Sequence, residues 1–346
     1  MSPYIFMIMI FALGLGTTIT FTSSHWLMAW MGLEINTLAI IPLMAQQHHP
    51  RAIEATTKYF LIQATAAATL LFAATTNAWL TGQWEISQLN HPIPLTIATI
   101  ALALKLGLAP THAWLPDVMQ GLNLNTGLIL ATWQKLAPIS LLFQINNNFY
   151  LTIFLGLTSI LIGGWGGLNQ TQLRKLLAYS SIAHLGWMVL ILQFSPMLTM
   201  LALLIYITMT ISTFAVFMIN EATNMNTLST SWVKMPMLSA ITPLVLLSLG
   251  GLPPLTGFLP KWMILQELTK QHLPLVATVA ALSALLSLYF YLRLSYAMAL
   301  TISPNTSTNI LPWRLQNTNM KFPTAISVIL TIWMLPLSPS ILMLLM

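Results

Sequence analysis

The sequence contains no cysteine and very few charged residues, and both scarcities exclude large classes of protein. Without cysteine, the chain can form no disulfide and can ligate no iron–sulfur cluster through thiolates. Charged residues make up only 5% of the 346 positions, whereas soluble domains carry about 25%. Hydrophobic residues make up 57%. This balance indicates an integral membrane protein.

Motifs for nucleotides and nucleic acids are also missing. There is no GxGxxG and no P-loop, so any nucleotide chemistry would take place on a partner. The twelve lysines and arginines form no basic run, so the net charge of +6 does not indicate nucleic-acid binding. The N-terminal stretch MSPYIFMIMIFALGLG has no positive segment before its apolar run, unlike a cleaved signal or Arg-rich transit peptide. We therefore expect the first apolar segment to be retained.

Apolar runs long enough to cross about 30 Å of hydrocarbon dominate the chain. Turn formers and polar residues separate them. The sequence predicts an all-α polytopic membrane protein with eleven transmembrane helices, near residues 3–22, 26–45, 56–80, 94–109, 124–144, 150–168, 174–194, 197–220, 238–269, 275–300 and 323–343.

Two apolar segments are interrupted by the same pattern. KLGLAPTHAWLPD begins at residue 105 and LGGLPPLTGFLPK at residue 249. One glycine and two prolines align between them, as Gly107/Gly251, Pro110/Pro254 and Pro116/Pro260. Each break falls in the fourth of five spans, which predicts two inverted five-helix repeats and places the breaks on the path of a transported ion. The alternative is two proline kinks that only aid packing. The predicted divisions are a first repeat over 1–145 (broken near 105–117), a second over 146–300 (broken near 250–261), and a loop with a C-terminal transmembrane helix over 301–346.

Four charged residues lie well inside predicted spans, namely Glu34, Lys105, Lys135 and Lys261. Each costs on the order of 3 kcal/mol at mid-bilayer, so an inward-facing functional role is the default interpretation. Lysine suits proton transfer because burial disfavours its charged form and a nearby carboxylate restores it, whereas arginine does not deprotonate. Glu34 is the acid deep in a span and would modulate Lys105; the alternative is a static pair that fixes helix packing.

Two histidines are further candidates for the same chemistry, because histidine titrates near neutrality. His184 lies in the middle of the span containing SIAHLGWMV and is either a proton carrier or a satisfied packing residue. His112 lies inside the first break and would carry a proton or hydrogen-bond exposed carbonyl groups. His48 and His49 are adjacent and have no further ligand at metal spacing, so we predict no metal site there.

The loop charges predict the orientation of the chain, because lysine and arginine collect on the negative side of a membrane. The N-terminal side collects six of them, and the opposite side holds only Lys270. We therefore expect the N-terminus on the negative side and the C-terminus opposite. The six residues are Arg51, Arg174, Lys175, Lys234, Arg314 and Lys321.

Three motifs together resemble the antiporter-like membrane subunits of respiratory complex I, which are relatives of the Mrp-type cation/proton antiporter subunits. These motifs are MGLEINTLAIIPLM, KLGLAPTHAWLPDVMQG and GGLPPLTGFLPKW, and the resemblance covers nearly the whole chain. It implies that Glu34 pairs with Lys105 on the first broken helix. It further implies that Lys135 lies at the centre of a channel and that Lys261 leads to the exit side.

The resemblance also implies a location and a set of partners. The chain would be a multi-pass protein of the mitochondrial inner membrane, with its N-terminus in the matrix and its C-terminus facing the intermembrane space. Its partners would be the lipid bilayer and other membrane-arm subunits of complex I, and no nucleic acid. No cofactor or metal is expected in this chain, because NADH, FMN, the Fe–S clusters and ubiquinone would be bound by other subunits.

The resulting hypothesis is a proton-translocating core membrane subunit of NADH:ubiquinone oxidoreductase, coupled to electron transfer elsewhere in that enzyme. Protons would enter from the matrix near His112 and Lys105, pass Lys135 and His184, and leave beyond Lys261. One alternative is a stand-alone cation/proton antiporter, which the scarcity of carboxylates disfavours because hard cations need oxygen ligands. The other is a structural membrane subunit that conducts nothing.

Overall fold

The computed structural model describes residues 3–45, 49–145, 148–233, 236–300 and 321–345. Every regular element within these ranges is helical, which confirms the all-α prediction. His48, Lys234, Arg314 and the predicted loop over 301–320 lie outside the described residues.

The chain divides into two compact units, Met1–Ser159 and Ile160–Met346. The first contains six helices and the beginning of a seventh, and the second contains the remainder. The helices are α1 Pro3–Thr22, α2 Trp26–Met44, α3 Pro50–Thr81, α4 Pro92–Leu106, α5 Trp114–Gly121, α6 Leu124–Gln144, α7 Phe149–Gly167, α8 Leu173–Ile191, α9 Pro196–Ile219, α10 Met225–Ser229, α11 Pro236–Gly250, α12 Phe258–Lys270, α13 Pro274–Leu300, α14 Lys321–Trp333 and α15 Ser338–Leu345.

Among the described residues, seven helices are long and apolar enough to cross a membrane, namely α1, α2, α3, α6, α7, α9 and α13. Helices α4, α11 and α14 are also apolar but shorter, with apolar stretches of 10–17 residues. The prediction of one span over 238–269 corresponds to α11 and α12 with the second break between them. A membrane protein can contain such irregular backbone only where protein or a polar cavity surrounds it.

The last predicted span, 323–343, is not one continuous helix. Helix α14 ends at Trp333, a 3-10 turn follows over Leu335–Leu337, and α15 begins at Ser338. Pro336 has no amide hydrogen to donate to the carbonyl four residues earlier, so an α-helix cannot continue through it unchanged. The interruption therefore has a local cause in the sequence.

Within the first unit, helices meet through small residues and through polar bonds to backbone. A Cβ added at Gly16 of α1 would lie 2.8 Å from the carbonyl oxygen of Gly32 in α2, so the two helices approach closely. The indole of Trp30 donates to the Ala67 carbonyl at 3.2 Å, which joins α2 to α3. Both are packing devices typical of membrane helices.

In the second unit, polar side chains likewise hydrogen-bond to backbone carbonyl groups of neighbouring segments. The guanidinium of Arg293 in α13 donates to the carbonyl of Leu168, just beyond the end of α7, at 2.8 Å. Thr256 in the second break donates to the carbonyl of Thr331 in α14 at 2.6 Å. Helix α14 is thus bonded directly to the broken segment.

Candidate functional site

The first break ends α4, so the last carbonyl groups of that helix lack the amide donors that a continuous helix would have supplied. Gly107 takes a φ of +78°, which glycine adopts without strain. The amides of Gly107 and Leu108 both donate to the Ala103 carbonyl, at 3.0 and 2.9 Å. The indole of Trp114 then donates to the Leu104 carbonyl at 3.2 Å. Side chains and turn amides thus replace the missing helical donors.

Replacing Trp114 with phenylalanine should destabilise the first break. The ring would still fill its place, but the Leu104 carbonyl would keep only the Gly107 amide, at 3.2 Å, as a donor. Loss of the indole bond should cost about 0.5–1.5 kcal/mol. The measurement is the thermal unfolding midpoint of the purified, assembled complex. Trp79→Phe is the control, because Trp79 is 86% exposed. Equal midpoints for the two variants would contradict the prediction.

The second break repeats this geometry. Gly251 takes a φ of +79°, and its amide donates to the Leu247 carbonyl at 3.1 Å. Each break also contains a cis peptide bond before proline, at Ala109–Pro110 and at Pro253–Pro254. In the first break, Trp114 of the following helix donates to a carbonyl at the end of the preceding one. In the second break this donor is charged, since Lys261 Nζ of α12 donates to the Gly250 carbonyl at 2.7 Å.

Two of the predicted lysines meet at one cavity in the first unit. The cavity has a volume of about 20 Å³, and both Lys105 and Lys135 line it. Lys105 is 6% exposed and Lys135 is 5% exposed, so both ammonium groups are removed from the surface. Tyr59 also lines this cavity. A small, buried space with both apolar and polar lining residues therefore lies next to the first break.

Glu34 acts on Lys105 through space and not through contact. Its carboxylate accepts a hydrogen bond from the hydroxyl of Thr37 at 3.1 Å. The carboxylate lies close enough to Lys105 for their charges to interact. Within the described part of the chain, however, Lys105 Nζ has no hydrogen-bond partner. The two charges are thus neighbours without forming a direct ion pair.

His184 and Lys261 meet in the second unit. Both line a cavity of about 10 Å³ between α8, α9 and α12. The ring of His184 also lies 5.6 Å from the ring of Tyr206, which is 2% exposed. The structure thus brings together a histidine and a lysine that are far apart in sequence.

His112 lies apart from the lysine cavity. Its ring is half-buried, and Nδ1 lies 3.2 Å from the carbonyl oxygen of Pro110 in the same loop. No cluster of three or more metal-ligating side chains occurs in the portions of the chain that the structure describes.

The structure adds polar residues that the sequence interpretation had passed over. Three carboxamides, those of Asn36, Gln63 and Gln134, line the lysine cavity. Gln63 donates to the Lys105 carbonyl at 3.4 Å, and Gln134 donates to the Asn36 carbonyl at 3.3 Å. In the sequence, each of these residues is an uncharged but strongly polar side chain inside an apolar span. Gln134 is next to Lys135, and Asn36 is two residues from Glu34.

Comparison with known proteins identifies the family. A model of the transmembrane part of NADH:quinone oxidoreductase and Mrp antiporters matches residues 23–287, and a model of the NADH dehydrogenase subunit 2 C-terminus matches residues 288–342. NADH-ubiquinone oxidoreductase chain 2 of Tetraodon nigroviridis is 69% identical over 343 residues, which is 99% of both chains. This chain belongs to the NADH-ubiquinone oxidoreductase chain 2 family. The resemblance predicted from the three sequence motifs is confirmed.

Another member of the chain 2 family and a solved structure of complex I agree with this assignment, and a second solved structure shares the fold. The chain 2 protein of Salmo salar is 67% identical over 99% of this chain and 98% of its own length. A chain of respiratory complex I from Thermus thermophilus is 27% identical, with a TM-score of 0.80 over 97% of this chain and 80% of that one. A chain of the Mrp complex from Dietzia has a TM-score of 0.80 at 15% identity, covering 97% of this chain and 76% of that one, and supports the fold alone.

Proposed function

We propose that this chain translocates protons across the mitochondrial inner membrane as a subunit of NADH:ubiquinone oxidoreductase. The observation that carries the proposal is the cavity shared by Lys105 and Lys135. Its family relatives are named as chains of that oxidoreductase, and its apolar helices suit a multi-pass membrane subunit. The chain would take part in the enzyme's coupling without carrying out redox chemistry itself.

The shared cavity provides a physical reason for proton movement. Two ammonium groups beside one small, weakly polar space repel each other, so a state with both lysines charged is unfavourable. The arrival of a proton on one lysine therefore favours its departure from the other. Glu34 would bias this balance through space: its approach favours the charged form of Lys105, and its withdrawal favours release.

The path would continue in the second unit through His184 and Lys261, which line one cavity. His112, at the first break, would take up protons from the matrix side. Two five-helix repeats, over 1–145 and 146–300, would each supply one broken helix to this path. In this proposal the N-terminus lies in the matrix and the C-terminus in the intermembrane space.

The proposed partners and the proposed location of the cofactors rest on membership of the complex. Partners would be other membrane-arm subunits of complex I together with the surrounding lipid. NADH, FMN, the Fe–S clusters and ubiquinone would be bound by other subunits, since the sequence supplies no cysteine ligand and no nucleotide motif. This chain would therefore receive energy through its neighbours.

Replacing Lys135 with methionine tests the proposal. Methionine keeps the length and apolar stem of lysine but cannot hold a proton, so the assembled complex should pump fewer protons per NADH oxidised. The measurement pairs NADH:quinone turnover with proton uptake into vesicles that contain the reconstituted complex. Lys270→Met is the matched control, because the Lys270 side chain is 62% exposed.

Each alternative function makes a different prediction in this experiment. A scaffold would lose assembly and turnover together in Lys135→Met, in equal proportion. A stand-alone antiporter would show proton movement that depends on Na⁺ or K⁺ and continues without NADH. Full pumping by a well-assembled Lys135→Met complex would refute the proposed function.

A further inference from the structure

Asn36 is a buried polar residue to which the proposed function assigns no role. It is 2% exposed, and neither Oδ1 nor Nδ2 of its side chain has a hydrogen-bond partner among the described residues. Buried carboxamides are almost always hydrogen-bonded in native proteins. An unpartnered one inside a membrane helix therefore points to a polar ligand next to it.

The available space fits water as that ligand. Asn36 lines the same cavity of about 20 Å³ as Lys105 and Lys135. A site needs roughly 10–15 Å³ and two to four polar partners to hold one water molecule. Asn36 supplies a donor and an acceptor, and the unpartnered ammonium of Lys105 supplies further donors. Both requirements are met.

Neighbouring helices fix Asn36 at two points: α1 packs against its side-chain amide, and α6 bonds to its backbone carbonyl. On α1, a Cβ added at Gly16 would lie 2.5 Å from Asn36 Oδ1, so the amide packs directly over a residue that has no side chain. On α6, Gln134 donates to the backbone carbonyl of Asn36 at 3.3 Å, one residue before Lys135. The amide is thus positioned between α1 and the lysine cavity.

We infer that Asn36 positions a water molecule in this cavity for proton transfer between Lys105 and Lys135, an inference that rests on the proposed function. The amide donates through Nδ2 and accepts through Oδ1, but it takes up no proton itself. Lys105 gives a proton to the water oxygen, and the same water releases a different proton to neutral Lys135. One positive charge moves between the lysines, and the water and the amide are left unchanged.

Three substitutions separate hydrogen bonding from packing. Asn36→Leu keeps the approximate size but removes every hydrogen-bonding atom, and the rate of NADH-driven proton uptake should fall about tenfold in the assembled complex. Asn36→Ser keeps a hydrogen-bond donor and an acceptor on a smaller, uncharged side chain and should retain more uptake. Asn36→Ala leaves room for a second water and should also be less impaired than Asn36→Leu.

The solvent isotope effect distinguishes a positioning role from a structural one. If proton transfer becomes slow in Asn36→Leu, the ratio of uptake rates in H₂O and D₂O should rise, which a packing defect would not cause. Thr20→Val is the control, because Thr20 is buried on α1 and its hydroxyl donates within its own helix, to the Thr17 carbonyl at 2.8 Å. That variant should change neither the uptake nor the isotope ratio.

Wild-type uptake by Asn36→Leu, or an unchanged isotope ratio in a slow variant, would overturn the inference and leave the proposed function intact. Wild-type pumping by Lys135→Met would instead remove the proposed function itself. If Asn36→Leu does not assemble, a high-resolution map of the unmodified complex decides the matter. Ordered water within hydrogen-bond distance of the Asn36 amide is expected there, and a well-resolved cavity without it would overturn the inference.

Discussion

Gly257→Ala should prevent stable assembly of this subunit into its complex. A Cβ at residue 257 would overlap the carbonyl oxygen of Ser248, which belongs to the backbone of α11. No side chain can rotate away to relieve that overlap, so the break itself would have to shift. Overpacking of a rigid core costs about 1–3 kcal/mol and more where backbone must move.

The amount of assembled complex, resolved by native electrophoresis of membranes, measures this effect. Gly14→Ala makes a matched control, since a Cβ at Gly14 would meet nothing within 4 Å. We expect the control to assemble normally and the Gly257 variant to leave little complex. Comparable amounts of the two would show that the second break is more pliable than its packing indicates.

Lys261→Arg should leave the complex assembled but nearly abolish NADH-driven proton uptake. Arginine retains the positive charge and a donor for the Gly250 carbonyl, which Lys261 now bonds at 2.7 Å. It does not release its proton, because the pKa of a guanidinium group lies far above physiological pH. Lys261→Met should also lose proton uptake, but it would in addition leave the Gly250 carbonyl without its charged donor. We expect this loss to destabilise the break by about 1.5–3 kcal/mol.

Vesicle measurements on both variants, with thermal unfolding of the purified complex, separate the two roles of Lys261. Lys270→Arg repeats the same exchange at an exposed position of the same helix and should change neither quantity. Normal proton uptake by Lys261→Arg would mean that the lysine serves only as a structural donor. The proposed path would then have to bypass it.

The two breaks were predictable from the sequence because their cause is local. Glycine permits the left-handed turn and proline removes a helical donor, so Gly107 and Gly251 with their following prolines determine where each helix stops. The same logic explains the interruption at Pro336, although the hydrophobic run over 323–343 obscured it. Apolar length predicts that a segment enters the membrane, but it does not predict that the segment is continuous.

The interior of the site could not be predicted in this way, because it depends on how distant helices pack. His184 and Lys261 share a cavity although 77 positions separate them, and no repeat or periodicity connects the two. The bond from Gln63 to the Lys105 carbonyl likewise depends on the packing of α3 against α4. Sequence indicates which side chains are too polar for lipid, but tertiary packing decides which of them meet.

The bond between Lys261 and Gly250 shows that both breaks place a lysine side chain at the C-terminal end of a helix. Lys105 lies in the last turn of α4, before its break, whereas Lys261 lies after its break and reaches back to the last residue of α11. Aligned peptide dipoles give every helix a partial negative charge at its C-terminus, which attracts a cation there. Both lysines thus lie at the negative pole of a half-helix. Breaking a helix creates such a pole in mid-membrane, where a continuous helix has none, so each break provides a partial counter-charge for a lysine whether or not a carboxylate lies nearby.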